Sequence, residues 1–125
     1  MRPAATGRLK PGRCVIGYFG ILHSPKPPYT VRYIVHAYDG TDPNASDRRM
    51  TARPAHFEGA RRLKAEGHFI LGGALLDPDG RMIGSMMLLD FADETQLQAW
   101  LAWEPYVQHN VWEKIDIKPF RQADV

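Results

Sequence analysis

Five histidines and one cysteine are the side chains of this chain that ionise closest to neutral pH, and one of the histidines stands where a titratable ring needs a reason. His56, within TARPAHFEGARRL at 51–63, lies four residues before Ala60 and seven before Leu63. That spacing puts it on the buried stripe of a helix. Late in the chain Glu104 follows Leu97 by seven residues and Trp100 by four, so it too falls on an apolar stripe and faces inward. An imidazole beside a carboxylate in an apolar pocket is a general base: the carboxylate selects the tautomer and stabilises the imidazolium formed on proton abstraction. Asp39, at the end of a strand, is a second candidate partner. Arg53 is positioned to hold an anionic substrate group, aided by the positive end of a helix beginning near it. Ser85 and Tyr106 can donate hydrogen bonds to a carbonyl or phenolate oxygen. The competing reading is that ring and carboxylate only satisfy each other at a helix junction, as structural ion pairs do.

The remaining ionisable groups form no second constellation. His36 is mid-strand, a core or interface residue; His68 begins a strand, His109 lies in a loop and His23 near the amino terminus. No CxxC and no Cys/His spacing suits tetrahedral zinc, so neither metal nor cofactor is expected. Cys14 stands alone and cannot form an internal disulfide, which fits a reducing cytoplasm. Met82, Met86 and Met87 read as packing filler, and Trp100, Trp103 and Trp112 as core or interface anchors.

Composition bounds the rest. With 125 residues, an apolar share of 44% and a charged share of 24%, the chain has material for one hydrophobic core and one globular domain. The net charge of +2 is spread among acidic residues, which argues against nucleic acid as a partner. Residues 1–31 differ from the rest: Arg2, Arg8, Lys10 and Arg13 precede CVIGYFGIL and then HSPKPPYT. Gly17 and Gly20 dilute the apolar run and no small-x-small cleavage site follows, so a secretory signal is disfavoured. The run is also shorter than the ~20 residues that cross a bilayer. We expect an arm, either an added strand or a tail on a neighbouring subunit, with Pro25, Pro27 and Pro28 holding its link extended. The domain proper is 32–125.

Within that domain, VRYIVHAYD (31–39) is a strand ended by Gly40, Asp42 and Pro43. Ser46 and Asp47 are expected to cap a short turn, and Pro54 to start a helix running through Phe57, Ala60 and Leu63 to Gly67. HFILGGALL and RMIGSMMLLDF flank the turn DPDG as a hairpin. Asp93 with Gln96 makes a capping-box-like start to a second helix, which Pro105 ends. VWEKIDIKPF closes the chain with Val111, Ile115 and Ile117 on one face and Lys114, Asp116 and Lys118 on the other. The order β-α-β-β-α-β predicts an α+β, ferredoxin-like fold: a four-stranded antiparallel sheet with both helices on one face. The first three strands are apolar on both faces, which predicts a homodimer packed sheet to sheet. This topology brings Asp39, Arg53, His56, Ser85, Glu104 and Tyr106 to one edge, where Gly72, Gly73 and Gly84 leave space for a small molecule.

Residues 32 to 120 resemble the YCII-related family, which the motifs AYD at 37–39, RPAH at 53–56, GG at 72–73, GS at 84–85, EPYV at 104–107 and the closing KPF carry together. The resemblance implies a dimeric ferredoxin-like domain related to the dimeric α+β barrels, with a histidine and an aspartate as the proposed active site. The histidine corresponds to His56. The family's DPY is EPY here, so Glu104 takes the place of the aspartate, and Asp39 in the strand-one motif is the other carboxylate. Most members of that family have no established reaction, one is similar to a dehydrochlorinase of chloroaromatic breakdown, and the wider fold includes muconolactone isomerase. The resemblance therefore implies cofactor-free proton abstraction with elimination or isomerisation on a small ring compound, against the alternative of a non-catalytic ligand-binding or accessory module.

Overall fold

A computed structural model describes residues 30–125; the expected amino-terminal arm, except for its last two residues, lies outside the described residues. Four strands and three helices follow in the order β1 (Val31–Asp39), α1 (Ala45–Ala65), β2 (Phe69–Leu76), β3 (Met82–Phe91), α2 (Glu94–Trp103), α3 (Pro105–Gln108) and β4 (Trp112–Phe120). The strands pair antiparallel in the order β2-β3-β1-β4, the ferredoxin-like arrangement.

β1 is central because its β-branched and aromatic run can be buried on both edges. Ala37 lies opposite Ser85 of β3 and Ile115 of β4, and Val35 opposite Met87 and Ile117. Alternation then divides the residues between faces. Tyr33, Val35 and Ala37 join Met87, Leu89 and Phe91 beneath the helices, where Leu63, Leu97, Trp100, Tyr106 and Trp112 close the core. The opposite face carries Ile34, His36 and Tyr38 from β1, Met86 and Leu88 from β3, and Leu71 and Leu75 from β2. Its β4 edge is charged, with Lys114, Asp116 and Lys118 opposite Tyr38, His36 and Ile34.

The first helix departs from expectation. It starts at Ala45, nine residues before Pro54, and Ser46 and Asp47 belong to its first turn instead of to a separate one. Pro54 sits inside the helix. Its missing N–H costs the bond to the Met50 carbonyl, and both residues are exposed, so water can take that bond's place. The longer helix shows one buried stripe: Ala45, Arg49, Ala52, His56, Gly59 and Leu63. Gly59 is needed there, since a Cβ would stand 2.8 Å from the Trp103 ring. The start of α2 follows the sequence closely: Asp93 accepts from the Gln96 N–H at 3.0 Å, while the Gln96 side chain accepts from the Ala92 N–H at 2.8 Å.

Candidate active site

Pro105 builds the carboxylate end of the site. The residue before a proline is pushed out of helical conformation, and Glu104 accordingly adopts φ −62°, ψ 121°, ending α2. The same residue then caps α3, its Oε1 accepting from the Tyr106 N–H at 3.0 Å. So oriented, the 1% exposed Glu104 meets His56 of α1: Nδ1 and Oε1 are 2.5 Å apart. The extra methylene relative to aspartate does not prevent contact. An ionised Oε1 only accepts, so Nδ1 carries the proton and the lone pair of the neutral ring lies on Nε2. Among the described residues Nε2 has no hydrogen-bond partner, and His56 lines a pocket of about 340 Å³.

Aromatic rings fix the imidazole plane. Tyr106 stacks on it at 3.9 Å and 10°, and Trp112 meets it edge-on at 6.0 Å. Beside this dyad lies a second buried cluster. The Arg49 Nη1 donates to both Asp39 oxygens at 3.0 and 3.1 Å, and its Nη2 donates to Ser85 Oγ at 3.0 Å. Ser85 Oγ also accepts from Trp112 Nε1 at 3.1 Å. The Arg49 guanidinium lies 4.9 Å from the centre of the Tyr106 ring, joining the two clusters. Burial pushes the Asp39 carboxyl above its ordinary value, against the pull of Arg49. Burial likewise raises the Tyr106 phenol, which keeps its proton at neutral pH.

The structure therefore brings His56, Glu104, Ser85 and Tyr106 together, and gives Asp39 to Arg49 instead of to His56. Arg53 lines the pocket, with its guanidinium 4.3 Å from the centre of the Phe57 ring. It lies well inside α1, so the positive end of the helix, which acts over the first turn only, does not assist it. Gly72 and Gly73 border the pocket. Gly84 serves another purpose: a Cβ there would come 2.3 Å from the Ala37 carbonyl oxygen, so its absence lets β1 and β3 approach. Arg49 was not singled out from sequence. Its signal was present in the spacing of Ala45, Ala52, His56, Gly59 and Leu63, once the helix is extended through Pro54. The pocket lining holds Arg49, Arg53, Arg61 and Lys64 but no aspartate or glutamate. Such a wall favours an anionic ligand. Among the described residues no group of three or more His, Cys, Asp or Glu is placed to hold a metal ion, and no helix is long and apolar enough to cross a membrane.

Comparison with known proteins places these features in a family. The chain is 29% identical over 97 residues to protein YciI of Escherichia coli O6:H1, covering 73% of this chain and 97% of that protein. It is 27% identical over 97 residues to an uncharacterised protein of Haemophilus influenzae, with the same coverage. Among solved structures it is similar to 5-chloro-2-hydroxyhydroquinone dehydrochlorinase (TftG) from Burkholderia phenoliruptrix AC1100, in complex with 2,5-dihydroxybenzoquinone. The TM-score is 0.64 with 16% identity, covering 74% of this chain and 95% of that one, a likeness of fold. The model of the YCII-related domain matches residues 31–121, most of the chain, and the protein belongs to the YCII-related family.

Proposed function

We propose that this protein is a cofactor-independent lyase or isomerase acting on a small oxygenated or halogenated ring compound, with His56 as general base. The observation that carries the reading is the locked Nδ1–Glu104 contact, which leaves Nε2 as the free acceptor of a ring held against the pocket. In an elimination, Nε2 takes the proton from a ring carbon, the C–H electrons form the new double bond, and the leaving group departs with its bonding pair. Glu104 stabilises the imidazolium; Arg53 binds an anionic substituent; Ser85 and Tyr106 donate to a ring oxygen; Asp39 acts one step removed, by holding Arg49. The dehydrochlorinase similarity supports this chemical class through its fold.

The catalytic unit is inferred to be a cytoplasmic homodimer. The apolar sheet face opposite the helices, with Leu71 48% and Tyr38 43% exposed, is the surface a second copy would cover. A screen of chlorinated hydroquinones, phenols and lactones, read for thermal stabilisation and turnover, tests the enzymatic reading against parent and His56→Ala. Turnover lost in the variant with binding retained supports it. A ligand that binds equally to both proteins and is never converted identifies a non-catalytic binding module instead.

A further inference from the structure

Three residues that line the pocket beside His56 carry donors with no acceptor among the described residues. Among the described residues the buried Arg49 Nε–H and Tyr106 hydroxyl have no hydrogen-bond partner. Ser85 Oγ already accepts two N–H bonds, from Arg49 and Trp112, so both of its lone pairs are occupied and its own proton is left to donate. All three residues border the same pocket. A buried donor without a partner is costly, so three at one pocket are an expensive arrangement for a mere packing surface. The Trp100 indole N–H is also unpartnered among the described residues but does not line this pocket.

We propose that Arg49, Ser85 and Tyr106 form an oxyanion cradle, which holds the substrate through an ionised phenolic or enolic oxygen on its ring. This extends the function proposed above by naming the substrate class, and it rests on the pocket being the substrate site but not on His56 being the base. An acceptor-only oxygen is the chemical complement of these three donors, and a lining without aspartate or glutamate leaves the negative charge unopposed. Tyr106 keeps its proton because burial raises its phenol, so it enters the cradle as a donor and not as a competing anion. Asp39 holds Arg49 by two bonds to Nη1, which directs the guanidinium edge at Ser85 and leaves Nε uncommitted. The charged and titratable side chains lining the pocket besides Tyr106 are Arg49, Arg53, His56, Arg61 and Lys64, with Asp39 bound to Arg49 and Glu104 to His56.

The probe is 4-nitrophenol, which ionises near neutral pH and whose phenolate absorbs visible light. Binding is titrated across pH with the full-length parent, with His56→Gln, and with Tyr106→Phe. The phenolate is expected to bind at least about tenfold more tightly than the phenol, which lowers the bound probe's pKa by about one unit. This preference is expected to persist in His56→Gln, where no base remains. In Tyr106→Phe it falls several-fold while the melting temperature holds or rises, because the hydroxyl removed has no partner to lose. Equal binding of the two forms overturns the cradle, as does absence of binding at millimolar probe. A Tyr106→Phe protein that melts earlier yet retains the preference also overturns it. Phenolate preference without turnover of any compound removes the base assignment alone; turnover without the preference removes the cradle alone.

Discussion

Replacing Glu104 by glutamine isolates the charge of the dyad from its shape. Glutamine keeps an Oε1 that can accept from both His56 Nδ1 and the Tyr106 N–H, the two bonds made at 2.5 and 3.0 Å. What disappears is the negative charge facing the imidazolium that forms when Nε2 takes a proton. Two unit charges about 4 Å apart at an effective dielectric near 20 attract by about 4 kcal/mol. The amide dipole and solvent entering at the pocket side recover part of this, leaving a loss of about 2–4 kcal/mol, or about 30- to 1000-fold in kcat. Stability should fall by only about 1 kcal/mol, the difference between a charge-assisted and a neutral bond. The assay is chloride release from chlorinated hydroxyhydroquinones, or conversion of whichever ring compound the screen yields, with parent and variant at saturating substrate. Nitrogen NMR of the His56 ring supplies an independent readout: the neutral ring of the parent carries its proton on Nδ1, and the variant, whose amide can also donate, shows a mixed tautomer. A parent ring protonated on Nε2, or a variant within threefold of the parent rate, would refute the reasoning.

Three further outcomes follow from the same geometry. Asp39→Asn leaves the buried Arg49 without its counter-charge and is expected to destabilise the fold by about 3–5 kcal/mol by chemical denaturation, since both side chains are 5% exposed. Gly84→Ala places a methyl against the Ala37 carbonyl at 2.3 Å, so β1 and β3 must part; a loss of about 1–3 kcal/mol is expected, with the Ser85 amide shifting in the NMR spectrum. Backbone N–H groups of Arg81 and Asp79 hold the Asp77 carboxyl below its usual range. Because the folded value lies below the unfolded one, this contribution is present above the unfolded pKa and is lost as pH falls through the folded value. Carboxyl NMR titration checks the shift, and Asp77→Asn should flatten the acid limb of the stability curve.

The β-α-β-β-α-β order, the sheet and the buried side of α1 from His56 onward were legible in the sequence, because period-2 and period-3.6 patterns of apolar residues report which face is dry; the short α3 after Pro105 was not. His56 and Glu104 followed from the same spacing, each measured against neighbouring apolar residues of its own helix. The start of α1 was not legible, because Pro54 reads locally as a helix start, and only packing of the preceding turn against the sheet overrides that preference. Arg49 went unnoticed for this reason alone: a cation between Ala45 and Ala52 looks solvated until the helix containing it is known.

Sequence by itself determined which residues could be interior, since burial of apolar side chains is written in periodicity. It could not determine which interior polar groups meet. Two carboxylates, Asp39 and Glu104, were available to His56 along the chain, and only the family resemblance favoured Glu104. The tertiary structure decided between them through one buried arginine: Arg49 takes both oxygens of Asp39, and the turn at Pro105 delivers Glu104 to the imidazole. Pairing of buried charges depends on distances across elements, and no local pattern encodes those distances.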